Sequence, residues 1–119
     1  MLLLDNDNLL VVDIDDTLLT WEPDKSRKKT ITIRFDKQIF TYHVMEENVE
    51  MLKLFRSRGA KIILWSQSGH KFVNKVAKAL KLESYIDVAC SKPKWTLDDL
   101  PASVWMPNSK LAMRKKNEF

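Results

Sequence analysis

From Leu9 to Ile14 the chain is an almost continuous apolar run rich in Val and Leu, broken only by Asp13. Such a run predicts a strand buried on both faces. Thr30 to Phe35 and Gln38 to Val44 alternate apolar and polar positions around Asp36-Lys37, the pattern of a β-hairpin, inserted after the first strand within residues 21–44. From Asn48 onward Val49, Leu52 and Phe55 recur at helical spacing, Arg56 and Arg58 suit the negative end of the helix dipole, and Gly59 can cap it. Lys61 to Trp65 predicts a second buried strand. The polar turn Ser66-Gln67-Ser68-Gly69 leads into a second helix, with Phe72, Val76 and Leu80 on one side and Lys71, Lys75 and Lys78 on the other. Tyr85 to Cys90 predicts a third strand, and Trp95 to Leu97 a short fourth one ending at Asp98. Alternating strands and helices imply an α/β fold, a parallel sheet with flanking helices and right-handed crossovers.

A length of 119 residues suits one compact domain, 1–119, with a real core. Hydrophobic residues at 45% beside charged residues at 30% are ordinary for a globular chain and argue against extended disorder. A single cysteine, Cys90, cannot form an internal disulfide, which points to a reducing cytoplasm and a buried apolar role for the thiol. Met1-Leu2-Leu3-Leu4 is interrupted by Asp5, Asn6 and Asp7, so it is not read as a targeting segment, and no run reaches the length of a membrane span. The net charge of +4 favours polyanionic partners only mildly, and Arg114-Lys115-Lys116 reads as a solvated end.

Candidate chemistry sits just behind the strand-like runs: Asp13-Ile14-Asp15-Asp16-Thr17, Ser66, Lys92-Pro93 and Asp98-Asp99. In open parallel α/β sheets ligands bind beyond the carboxyl ends of the strands, so these groups can converge. In an extended segment Asp13 and Asp15 share a face roughly 7 Å apart, while Asp16 points away. Neighbouring carboxylates repel, and a cation resolves the conflict. Magnesium prefers oxygen ligands and commonly binds through one or two carboxylates, waters and a substrate phosphate. Taken singly, each group has a plainer reading: an acidic turn, a helix cap at Ser66, a loop lysine, a helix start at Asp98-Asp99.

The segment Leu10-Val11-Val12-Asp13-Ile14-Asp15-Asp16-Thr17-Leu18 resembles the first motif of the haloacid dehalogenase (HAD) superfamily of phosphohydrolases, an apolar strand followed by Asp-x-Asp-x-Thr. Ile62-Ile63-Leu64-Trp65-Ser66 resembles the second motif, Ser91-Lys92-Pro93 the third and Thr96-Leu97-Asp98-Asp99 the fourth, so the resemblance spans residues 9–99. It implies a Rossmann-like (HAD-like) sheet, a hairpin flap after the first strand and a Mg2+ cofactor. It further implies a nucleophilic Asp13 that forms an aspartyl-phosphate, and Asp15 as general acid and base. Ser66 and Lys92 would bind phosphate. Asp13, Asp15 through its carbonyl, Asp98 directly and Asp99 through a water would hold the metal. The link from Lys92 to Asp98 is only Pro93 to Leu97, shorter than in many members, and Lys94 competes for the lysine role.

An insert this small leaves no room for a large cap, so the resemblance implies an open site that admits phosphoproteins, nucleic-acid ends or small phosphometabolites. Lys25, Arg27, Lys28 and Lys29, with Trp21, Phe40 and Tyr42, offer charge and stacking to a nucleic acid; packing of those aromatics on the domain is the competing reading. The alternative function is a non-catalytic, phospho-accepting module like a receiver domain, but that needs an acceptor Asp after a middle strand, where Leu64-Trp65-Ser66 has none. A calcium loop from Asp13, Asp15 and Thr17 lacks the glycine its sharp turn requires.

Overall fold

The structure is a computed structural model that describes residues 8–23 and 26–101. Met1 to Leu4, Lys25 and the Arg114-Lys115-Lys116 tail lie outside the described residues. The elements, in order, are β1 (Leu9–Val12), β2 (Leu19–Thr20), β3 (Thr30–Phe35), β4 (Gln38–Val44), α1 (Glu46–Ser57), β5 (Lys61–Ser66), α2 (His70–Ala79), a 3₁₀ turn at Glu83–Tyr85, and β6 (Val88–Ser91). They form an α/β fold with two sheets. One is parallel, in the order β1-β5-β6; the other is antiparallel, in the order β2-β4-β3.

β1 stops at Val12 because the Ile14 carbonyl turns inward and accepts the N–H groups of Thr17, Leu18 and Leu19 at 3.1, 2.9 and 3.1 Å. Both residues of the hairpin turn, Asp36 and Lys37, have positive φ, 52° and 62°. That is the geometry whose twist matches two-residue hairpins. α1 begins two residues before the predicted Asn48, with Glu46 and Glu47 in the first turn where the dipole favours acids. Its end is a Schellman closure: Gly59 at φ 91° donates to the Arg56 carbonyl and Ala60 to the Phe55 carbonyl, both at 3.0 Å.

Two further strand predictions are corrected. The third strand starts at Val88 rather than Tyr85, because Asp87 replaces part of the ladder with its side chain. Its Oδ2 accepts the Ile62 N–H at 2.8 Å and pairs with Arg56 at 2.9 Å, tying β5 to α1. Trp95 to Leu97 is not a strand. Trp95 and Leu97 are 90% and 105% exposed, and nothing apolar covers the face a fourth strand would need.

Buried residues from both sheets and both helices form one core cluster, among them Ile14, Leu18, Leu19, Ile33, Val44, Leu52, Ile62, Leu64 and Val73. The hairpin is part of it. Phe35 and Tyr42 meet Phe72 of α2 edge-on at 5.4 and 6.4 Å, and Lys75 donates to the Arg34 carbonyl at 2.8 Å. Among the described residues no helix is long and apolar enough to cross a membrane.

Candidate functional site at the carboxyl edge of the parallel sheet

Strand register determines what emerges at the sheet edge. Val12 lies opposite Leu64, and Ser66 opposite Ser91, so Asp13 and Lys92 leave β1 and β6 on either side of the end of β5. Lys92 Nζ stands 3.8 Å from Asp13 Oδ2, with both side chains about one-third exposed. A pair so open to water adds about 1 kcal/mol or less to stability, so its consequence is positional: a cation faces the carboxylate. The Ser66 carbonyl is the junction beneath them, accepting the Lys92 N–H at 2.9 Å and the Gly69 N–H at 3.1 Å. Ser66 is fully buried, and its hydroxyl accepts the Ser68 N–H at 3.1 Å. It therefore shapes the turn into α2. Gly69, at φ 95°, makes that turn in a conformation other residues rarely adopt.

The acids after Asp13 ride on the turn around the Ile14 carbonyl. Asp16 occupies the left-handed region (φ 58°), donates its N–H to the Leu19 carbonyl at 2.7 Å and receives the Thr20 hydroxyl at 3.1 Å. Asp15 is left facing solvent. Partial burial, then the charges of Asp13 and Asp16, push the Asp15 carboxyl above the ordinary carboxylate range. Burial, and then the charge of Asp15, likewise raise the Tyr42 hydroxyl. Tyr42 therefore belongs to the electrostatic surroundings of the acidic turn, although the sequence marked it only as a hairpin residue able to stack or to pack on the domain.

Asn48 was legible only as the start of a helix. It is buried, and its side-chain amide donates to the Thr17 carbonyl at 2.7 Å, while Met45 N–H reaches the Leu18 carbonyl at 2.8 Å. These two bonds fasten the acidic turn to the start of α1. A polar amide on the same helix face as Val49 and Leu52 was the available signal.

The fourth element stands apart. Asp98 and Asp99 are exposed, in a stretch without regular structure. Asp98 Oδ1 accepts the Leu100 N–H at 3.0 Å; that bond, followed by one to Asp99, lowers the Asp98 carboxyl below its usual range. Among the described residues no three acidic, His or Cys side chains gather closely enough to hold one ion. Lys94, exposed, makes no ion pair among the described residues.

The donor chemistry at Asp13 and Asp15 still suits magnesium. Partial burial, and then the charges of Asp13 and Asp16, already raise the Asp15 carboxyl, and this ion needs only one or two protein oxygens beside water and phosphate. The basic residues ahead of the hairpin are partly committed: Arg27 pairs with Glu47 at 2.8 Å. The hairpin aromatics pack as the competing reading expected, with Trp21 edge-on to Phe40 and Tyr42 at 5.4 and 4.9 Å. Tyr42 is 3% exposed, but Trp21 is 56% exposed. Two cavities flank α2, and neither is lined by Asp13, Asp15, Ser66 or Lys92. Neither a scan against models of known protein families nor a search of curated proteins finds a match for this chain.

Proposed function

We propose that the chain is a magnesium-dependent phosphomonoester hydrolase of the haloacid dehalogenase type, with a Rossmann-like sheet, the hairpin as its flap, and Asp13 as nucleophile. One observation carries this reading: the Lys92 ammonium faces the Asp13 carboxylate at 3.8 Å at the carboxyl edge of a parallel sheet, where such folds bind ligands. An Asp13 oxygen attacks phosphorus, the P–O bond to the leaving group breaks, and an aspartyl-phosphate forms. Asp15, kept protonated more readily than an ordinary carboxyl, gives its proton to the departing oxygen. It then takes one from the water that cleaves the acyl phosphate and regenerates Asp13. Lys92 offsets charge on the equatorial phosphate oxygens, and the Ser66 hydroxyl and the turn into α2 bind another.

Asp13, the Asp15 carbonyl and, after a movement of its segment, Asp98 would hold Mg2+, with Asp99 acting through a water. The ion would neutralise phosphate charge. The receiver-like alternative has less support: the middle strand of the parallel sheet ends in Ser66, which cannot serve as an acceptor carboxylate. Release of phosphate from a generic aryl phosphate in the presence of Mg2+ tests the proposal. The expected result is turnover that Asp13→Asn lowers by at least ~10³-fold and that chelation abolishes. Turnover unchanged in folded Asp13→Asn protein would overturn it.

A further inference from the structure

The parallel sheet is packed on one side only. Its order, β1-β5-β6, advances in one direction, so right-handed crossovers lay α1 and α2 on the same face. On β5, Ile62 and Leu64 join the helix residues in the core, while Lys61, Ile63 and Trp65, which alternate with them, are half-buried. Strand register places Leu9 and Val11 of β1, and Val88 and Cys90 of β6, on the face of Ile63 and Trp65. These six side chains are all apolar, Leu9 is 46% exposed, and none of them belongs to the core cluster or packs against it. Lys61, 4.0 Å from Asp87, marks the amino end of the face. The Trp65 ring meets no other aromatic ring among the described residues. Parallel sheets are characteristically covered on both faces, and a contiguous apolar patch left over marks a contact surface.

Three occupants suit such a face, and size and position separate them. A second copy of the chain is disfavoured by size, because stable protein interfaces use roughly 20–30 residues a side, against the six here. A cover from the same chain escapes that threshold, since a tethered segment is already present at an effective concentration on the order of millimolar. Two apolar runs flank the described residues. Leu2-Leu3-Leu4 precedes β1 and so enters at the amino end, beside Lys61. Val104-Trp105-Met106 follows β6 and enters at the carboxyl end, where Trp65 and Cys90 stand side by side. Residues 102–119 lie outside the described ones. The stretch 92–103 is long enough to bring them back: extended, it spans up to ~40 Å, against roughly 10 Å across three strands. Within it Trp95 and Leu97 are 90% and 105% exposed, so they leave the face open.

We propose that Val104-Trp105-Met106 lies across Val11, Ile63, Trp65 and Cys90, so that the chain after β6 forms a strap over the open face of the parallel sheet. The strap holds residues 92–103 at both ends, at β6 and again on the sheet. Asp98 and Asp99 are thereby kept near the carboxyl edge, where Asp13 lies. The covering of the face stands on burial, register and sequence; the use of Asp98 at the edge rests on the phosphohydrolase reading.

Cys90, the chain's single cysteine, reports on this face. Its alkylation by iodoacetamide, followed on the full chain by mass spectrometry, should run at least ~tenfold faster in Val104→Ser/Trp105→Ser/Met106→Ser protein than in wild type. Trp95→Ser/Leu97→Ser protein should stay within about twofold of wild type, and circular dichroism confirms that each variant folds. Equal rates in wild type and triple variant would overturn the strap, as would a faster rate found only in Leu2→Ser/Leu3→Ser/Leu4→Ser protein. A second arm keeps Trp105 and decides alone if the triple variant does not fold. Met106→Cys protein, oxidised with copper phenanthroline at micromolar concentration, should form a disulfide to Cys90 within one chain, a monomer lighter by two hydrogens. Disulfide-linked dimers, or no disulfide, would overturn the strap, and dimers would assign the face to a second copy. The third arm titrates magnesium against Tm, and the triple variant should bind it at least ~tenfold more weakly. Unchanged magnesium affinity beside faster alkylation would uphold the strap and remove Asp98 from the ion. No magnesium binding by wild type would overturn the metal reading and leave the strap standing on the first two arms.

Discussion

The carboxyl edge of the parallel sheet and the segment from Pro93 to Pro101 both carry acids and lysines, yet they are positioned by different means. Asp13 and Lys92 are fixed by strand register, by the buried Ser66 between them and by apolar neighbours such as Ile14 and Leu64. Asp98 is held by a local bond from the Leu100 N–H, beside Asp99 on a stretch whose side chains all face water. A charged group gains a defined place when the backbone beneath it is tied into a core. Proximity in sequence to a motif does not supply one. Under the proposed function, the difference would separate a preformed half of the site from a half that ligand must draw in.

The sharpest way to break this contrast is at the two lysines. Lys92 follows the last residue of β6 and faces Asp13, whereas Lys94 lies in the exposed segment. Lys92→Ala should lower kcat on an aryl phosphate by about 10²- to 10³-fold, the usual cost of deleting a preorganised charge partner. Lys94→Ala should change it less than about threefold. Steady-state kinetics on both variants decide the matter; the reverse ranking would mean that the exposed segment, not the sheet edge, supplies the phosphate-binding cation.

The next effect separates roles within the preformed half. Asp15→Asn should cost about 10²-fold or more on alkyl phosphates, whose leaving oxygen needs a proton, and much less on activated aryl phosphates. Equal losses on the two substrates would remove Asp15 from the acid role and leave it an electrostatic neighbour of Asp13.

What the sequence disclosed follows the same division. Both hairpin strands, the two helices and the central strand β5 are legible because each carries a period of burial, and the hairpin limits at Thr30, Phe35, Gln38 and Val44 coincide with those in the structure. Asp13, Ser66 and Lys92 could be expected to converge because they follow buried runs. The failures are local substitutions of one hydrogen bond for another. Asp87 takes over the Ile62 N–H with its side chain and shortens β6, and the Ile14 carbonyl gathers three N–H groups and shortens β1. Trp95 to Leu97 looks like a strand by composition, but the segment meets no partner edge among the described residues. Asn48 escaped notice because a helix-start residue and a buried tether share the same letter.

Magnesium can sharpen the comparison through stability. An ion that binds only the folded chain stabilises it by about 2.7 kcal/mol at one hundred times its Kd, worth roughly 10 °C in Tm for a domain of this size. Differential scanning fluorimetry with and without a chelator should show that rise in the wild type. Asp98→Asn should diminish it and Asp99→Asn should diminish it less, since a carboxylate acting through water contributes less to affinity than a direct ligand. If neither substitution alters the rise, the exposed segment does not close on the ion, and the preformed half binds magnesium alone.

The smallest effect concerns the acid turn without metal. The folded chain raises the Asp15 carboxyl above the unfolded value of 3.8, through partial burial and then the charges of Asp13 and Asp16. The native state therefore binds more protons than the unfolded state over the interval between those two pKa values, so this group's contribution to stability falls as pH rises through it. Below 3.8 the penalty vanishes; above the folded value it is fully present. Asp15→Asn removes the ionised form, so in chelator its Tm should exceed that of the wild type at pH 7, and the advantage should disappear toward pH 3.5. Solvent screening at this exposed group keeps the gain small. The same substitution would then stabilise the fold and impair turnover, as expected where a binding surface crowds like charges that only a ligand relieves. A Tm for Asp15→Asn at or below wild type at pH 7 would show that the crowding of these acids is already relieved by solvent, removing the electrostatic case for a cation at the turn.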